Sequence, residues 1–218
     1  TPRYYPLPSI TPHRGLFKYN VTWEGLPVAS ASIEIKDNEK KTTIETNAKS
    51  AELIDLLYKL RYIAKGEMDR TKLTPLYTHI DHQENSKQRI TDIFFMPNGL
   101  INSTIAKINK GEENTYSFTT ENQTFDPFSA AVMAQSLAWE LKQSRKFDVF
   151  DGKHRYLITL TCAKKSIRYV LGKKTPVLIF KSKVFDENRN AKAEKFRRAT
   201  ITFTDDEFRD LVELDSEV

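Results

Sequence analysis

Along most of this chain apolar and polar residues alternate, and a side-chain repeat of two places them on opposite faces of extended strands. Phe17, Tyr19, Val21 and Trp23 make the first such row, and Ala29, Ala31, Ile33 and Ile35 the second, with Glu24-Gly25 turning between them. Asp37-Asn38 turns the chain again before residues 42–48, so these three segments read as a meander. Further strands are expected over 61–69, 76–82, 89–95 and 100–108. Pro97-Asn98-Gly99 is a hairpin signal between the last two. Residues 116–119 continue the pattern.

Two segments carry a helical period instead. Ser50 is a candidate cap for a short helix with Leu53, Leu56, Leu57 and Leu60 on one face, strand being the alternative there. Asp126 is a good N-cap and Pro127 a favoured first helical residue. Phe128, Ala131, Val132, Gln135, Trp139 and Leu141 then follow the helical repeat, which predicts a helix ending near Ser144. After it Phe147 and Val149 lead to the turn Asp151-Gly152. His154, Tyr156, Ile158, Leu160 and Cys162 return on one face. Residues 167–171 and 177–184, joined by Gly172-Lys173, form another hairpin. A polar loop over 186–194 leads to 196–204, where Ala199, Ile201 and Phe203 alternate.

Short strands punctuated every 8–12 residues by turn signals indicate a sandwich or barrel. The expected fold is mainly β: a large curved antiparallel sheet (open barrel, spiral or sandwich) with one long helix, and a second short one where the leucines cluster, packed on it. No repeat or linker divides residues 14–218, which read as a single β domain. Residues 1–13 contain Pro2, Pro6, Pro8 and Pro12 and read as an extended arm. No apolar run approaches the roughly 18 residues of a membrane-crossing helix.

The net charge of +5 is unevenly spread. Asp205, Asp206, Glu207, Asp210, Glu213, Asp215 and Glu217 face only Arg209 at the C-terminal end, so residues 1–204 carry +11. A basic body attracts anions, yet no nucleic-acid-binding motif accompanies it, and a solvated lysine-rich surface is the simpler account. Nucleic acid is therefore not an expected partner.

No motif announces catalysis. His79 and His82 stand three apart, which on a strand sends them to opposite faces, and zinc needs three or four ligands. None of the seven glycines forms a nucleophile elbow or a phosphate loop. Cys162 lies in an apolar row and reads as a core residue, and as the single cysteine it permits no intrachain disulfide. The expectation is no catalytic residue, no metal and no cofactor. The candidate lining of an apolar ligand pocket is Phe17, Tyr19, Trp23, Leu57, Phe128, Val132 and Trp139, with plain core packing as its alternative.

The order of these segments resembles a bacterial family of exported proteins labelled domain of unknown function 3108. The resemblance rests on the strand with Phe17, Tyr19 and Trp23, its Glu24-Gly25 turn, and the small residues Ala29, Ser30 and Ala31. It continues through Leu53, Leu56, Leu57 and Leu60, then Asp69 and Thr74-Pro75-Leu76, the helix start Asp126 to Ser129, residues 149–156, and Thr204-Asp205-Asp206. Where the family has a Pro-Val pair after the closing Asp, this chain has Asp210-Leu211-Val212. The resemblance implies an exported, periplasmic β protein whose signal peptide has been removed, and it implies no catalytic residues. The expected function is a non-catalytic cell-envelope protein that binds a lipid or other apolar ligand, or an envelope protein partner. The alternatives are an envelope scaffold with a filled core, or a hydrolase of envelope polymers.

Overall fold

The structure, a computed structural model, describes residues 5–186 and 198–216. It is mainly β, with fourteen strands in two sheets, one of them curled into a half-barrel. The chain divides into two compact units: residues 14–121, and the N-terminal arm to His13 together with the chain from Asn122 onward. Among the described residues no helix is long and apolar enough to cross a membrane.

The first unit is an eight-stranded antiparallel meander in chain order. Its strands are β1 (Gly15–Trp23), β2 (Leu26–Asp37), β3 (Lys41–Ser50), β4 (Leu60–Asp69), β5 (Pro75–Glu84), β6 (Lys87–Phe95), β7 (Leu100–Lys107) and β8 (Glu112–Thr119). Alternation fixes the register, because a one-residue slip would turn every apolar side chain to the other face. Ile35, Ile44, Gly66, Thr78, Ile93 and Ser103 form one cross-strand row of the buried face. The opposite face carries ion pairs at Lys41–Glu67 (2.5 Å), Lys36–Glu34 (2.8 Å) and Lys65–Glu45 (3.6 Å). The β1–β2 turn has two successive left-handed residues, Glu24 (φ 48) and Gly25 (φ 79), which match the twist of a two-residue hairpin.

The second unit is a six-stranded sheet of β9 (Thr124–Phe125), β10 (Ser144–Phe150), β11 (Arg155–Val170), β12 (Lys173–Asp186), β13 (Arg198–Thr204) and β14 (Leu211–Ser216). Its order is β14-β13-β12-β11-β10-β9, antiparallel except where β9 meets β10. Val177, Leu178, Ile179 and Phe180 are buried in succession, so the middle of β12 is covered on both faces. Residues 167–171 are not a separate strand. Up to Val170 they continue β11 past a bulge at Cys162–Lys164, in one strand with residues 155–162, and Leu171 belongs to the turn. The expected loop over 186–194 and the start of the strand at 196 lie outside the described residues.

Both helices depart from expectation. The longer one, α2 (Pro127–Ser136), starts where the cap predicts: Asp126 accepts from the Phe128 and Ser129 amides, and Ser129 completes a capping box. It stops at Ser136, eight residues short of Ser144. Three features mark its end. The Ser136 hydroxyl donates to the Val132 carbonyl, the Ser136 carbonyl accepts from the Ser9 and Ile10 amides of the arm, and Leu137 turns extended. The short helix, α1 (Glu52–Asp55), is one turn with Ala51 rather than Ser50 at its N-cap. Of the four leucines expected on its inner face, Leu53, Leu56 and Leu57 are 82%, 84% and 87% exposed, and Leu60 is the half-buried first residue of β4. A single turn buries too little backbone to present a sustained apolar face, so leucine spacing alone misleads.

Candidate functional site

In a meander every second connection lies at the same end. One end of the eight-stranded sheet therefore gathers the β1–β2 turn, the β3–β4 connection with α1, the β5–β6 turn and the 3₁₀ turn at Ile108–Lys110. The first two are neighbours, since the Ala51 amide donates to the Val28 carbonyl. Trp23, Leu26, Leu53, Leu56 and Leu57 all project there in the open. The other end holds Asp37, Asn38, Glu39, Lys40, Asp69, Arg70 and Lys72. Single exposed apolar residues are ordinary, but five large ones on two adjoining connections form a patch of the kind that marks a binding surface.

Beside this rim lies a trough of about 510 Å³ lined by residues 18–20, 30–32, 47–49 and 61–63 of β1 to β4. The lining combines two cross-strand rows of the polar face, Lys18, Ser32, Asn47 and Ile63, then Asn20, Ser30, Lys49 and Arg61, with the row Tyr19, Ala31, Ala48 and Tyr62 of the opposite face. The central strands contribute the small side chains Ser30, Ala31, Ser32 and Ala48 to its lining. The volume falls within the range of pockets that hold small ligands. Among the described residues no carboxylate forms an ion pair with Lys18 or Lys49, so two ammonium groups stand ready for an anionic group.

Arg61 is engaged. Its guanidinium grips Asp55 of α1 at 2.6 and 2.7 Å, and Asp55 also accepts from the Ser50 hydroxyl. Ser50 in turn accepts from the Leu60 amide at 2.8 Å. The network pins both ends of the leucine-bearing connection beside the trough. Arg61, and secondly Ser50, hold the Asp55 carboxyl well below the usual carboxylate range. A depressed acid stabilises fully above its unfolded value, near pH 4, and that contribution is lost as pH falls through the folded value. Amide protection factors at Tyr58 and Leu60 are therefore expected to hold at neutral pH and drop below about pH 4. Arg61→Ala should give the same loss already at neutral pH. Hydrogen exchange read residue by residue checks both, and unchanged protection in the variant would count against the tether.

The seven residues expected to line an apolar pocket are divided between the two units. Trp23 and Leu57 lie on the rim, and Tyr19 borders the trough. Phe17 and Tyr19 are half-buried, and alternation puts them on the face of Ile33 and Ile35. Phe128, Val132 and Trp139 belong to the other unit. Val132 is fully buried. Trp139 lies beyond α2, donates its indole N–H to the Ala134 carbonyl, and meets Phe180 edge-on at 5.0 Å. Leu53, Leu56, Lys18, Ser32 and Lys49 escaped the sequence reasoning. The leucines read as an inward helical face, and polar residues alternating with apolar ones are indistinguishable from an ordinary wet face.

The remaining motifs have local partners. His79 bonds Asp92 at 2.8 Å, and Tyr77 donates to the same carboxylate. His82 faces Tyr62 and Arg89 instead. Burial, then Arg89, lowers the His82 pKa. Burial raises that of Cys162, which makes it a poorer nucleophile. Asp206 closes a turn by accepting from the Thr204 hydroxyl and the Phe208 and Arg209 amides, and Asp205 pairs with Lys165. Among the described residues no three His, Cys, Asp or Glu stand together to hold a metal ion.

Comparison with known proteins adds fold and family. No curated protein matches this chain. Among solved structures, a β-barrel-like protein of domain of unknown function DUF1849 from Brucella abortus matches at a TM-score of 0.54 and 13% identity. The alignment covers 98% of this chain and 99% of that one. At that identity the likeness is one of fold. A family model, protein of unknown function DUF3108, matches residues 18–218, nearly the whole sequence, and the chain belongs to that family.

Proposed function

We propose that this is a non-catalytic protein of the bacterial cell envelope, exported to the periplasm, that holds an apolar ligand bearing an anionic group. The ligand's charged end sits between Lys18 and Lys49 in the trough, and its apolar part lies along the leucine rim. The observation that carries this reading is the adjacency of an open 510 Å³ trough, whose Lys18 and Lys49 form no ion pair among the described residues, to exposed leucines. Burying such leucines against a ligand chain would each contribute about 1.5–3 kcal/mol, enough for stable retention by a few contacts. The rim alone equally suits an apolar strip on an envelope protein partner, which is the second reading.

The test is native mass spectrometry of the purified protein followed by organic extraction. A lipid or fatty acid near one-to-one stoichiometry is expected from the natural chain. Ser32→Trp should fill the trough and abolish that adduct, while shifting stability by no more than about 0.5 kcal/mol as a substitution on the polar face. An adduct that persists in Ser32→Trp would place the ligand elsewhere. A bare protein under gentle extraction would favour the partner-binding reading.

A further inference from the structure

β11 and β12 are the longest strands of the fold, and they outrun their neighbours. β10 pairs with β11 only as far as Thr161, and β13 pairs with β12 only as far as Val177. β11 and β12 stay paired beyond that, through Ile167–Pro176 and Tyr169–Lys174 to Val170–Lys173. Among the described strands the sheet thus ends in a two-stranded arm whose tip is Leu171-Gly172.

The arm is ill suited to its own folding. Leu171 (φ 48) and Gly172 (φ 79) are both left-handed, as a two-residue hairpin turn of this type requires. Asn, Asp or Gly fit the first position, whereas a leucine there strains its backbone. Its side chain is also 98% exposed, so burial returns nothing. Ile167 and Tyr169, which share one face of β11 behind the tip, are 62% and 71% exposed. Around them stand Lys164, Lys165, Arg168, Lys173 and Lys174, all exposed, and the chain has no acidic residue between Asp151 and Asp186. Lys165 pairs with Asp205, and the Lys174 ammonium lies 6.0 Å from the Tyr169 ring centre.

We propose that this arm docks on the headgroup region of an anionic lipid bilayer. The cations lie against phosphate groups, Tyr169 sits at the headgroup level, and Leu171 enters the acyl boundary. A basic collar behind an apolar tip is complementary to that interface, where anionic lipid attracts lysine and arginine and tyrosine is favoured. A nucleic acid or other soluble polyanion would satisfy the lysines but leave Leu171 in water. The inference stands apart from the trough, which lies in the other unit.

Co-sedimentation of the intact chain with two kinds of vesicle tests it: phosphatidylcholine alone, and equal parts phosphatidylcholine and phosphatidylglycerol. Binding is expected to the mixed vesicles only, and to weaken as salt rises. Leu171→Asn should lower partitioning by about tenfold or more, the effect of withdrawing one leucine side chain from an apolar phase. The same variant should keep or raise the thermal midpoint, because Asn suits the turn. These opposite signs separate docking from a structural role. Lys173→Gln with Lys174→Gln should weaken binding several-fold and flatten its salt dependence. Failure to pellet with mixed vesicles, or Leu171→Asn binding as well as the natural chain, overturns the proposal. Retention on immobilised polyphosphate with no vesicle binding overturns it in favour of a polyanion site.

Discussion

Phe180→Ala is expected to destabilise the six-stranded unit by about 3–5 kcal/mol, the cost of deleting a buried aromatic ring and leaving a cavity. Phe180 is fully buried on β12, meets Trp139 edge-on at 5.0 Å, and meets Phe203 edge-on at 5.6 Å. Each aromatic contact adds about 0.5–1.5 kcal/mol beyond the area it hides. The variant also removes the surface on which Trp139 rests, and Trp139 holds the Ala134 carbonyl in the last turn of α2. Urea denaturation followed by near-ultraviolet circular dichroism reads the change. A loss below about 1.5 kcal/mol, typical of a volume-conserving core swap, would mean that the ring is not packed as described.

The second large effect is expected at Gly99, in the hairpin between β6 and β7. Its φ is +82, and a Cβ built there would lie 2.3 Å from the Thr120 carbonyl oxygen. That oxygen is backbone, so it cannot swing aside as a side chain would. The Thr120 amide also donates to the Gly99 carbonyl at 3.0 Å, tying the end of β8 to this turn. Gly99→Ala therefore carries the left-handed strain, about 1–2 kcal/mol, plus the displacement of Thr120. Gly172→Ala is the control: its φ is +79 but nothing lies within 4 Å of the added carbon. It should cost the strain alone, so Gly99→Ala should be clearly the worse when the two thermal midpoints are compared. Equal losses would remove the steric contribution.

The strands were legible because alternation is a local property, written in neighbouring residues. Residues 61–69, 89–95 and 100–108 became β4, β6 and β7 with ends moved by at most two residues. The cap at Asp126 was legible for the same reason: an acceptor, a proline and a serine three positions on make a complete helix start. The far end of α2 was not. Its period runs on through Trp139 and Leu141, and what stops it is the arm, whose Ser9 and Ile10 lie far away in sequence. Nor was the trough. Lys18, Ser32 and Lys49 come from three strands, and nothing in any one of them separates a binding lysine from a solvated one.

By itself the sequence determined most of the strands and turns and the family, while the short β9, the last strand β14 and the continuity of β11 were not in it. What it determined depends on residue patterns a few positions long. The tertiary structure alone decided which leucines face water, which lysines share a face, and where β11 and β12 outgrow the sheet. Those outcomes depend on pairing across tens of residues, and the same Leu-x-x-Leu-Leu spacing serves a buried helix or an exposed rim equally well. Exposure belongs to the neighbours a side chain acquires on folding, and a one-dimensional pattern does not contain them.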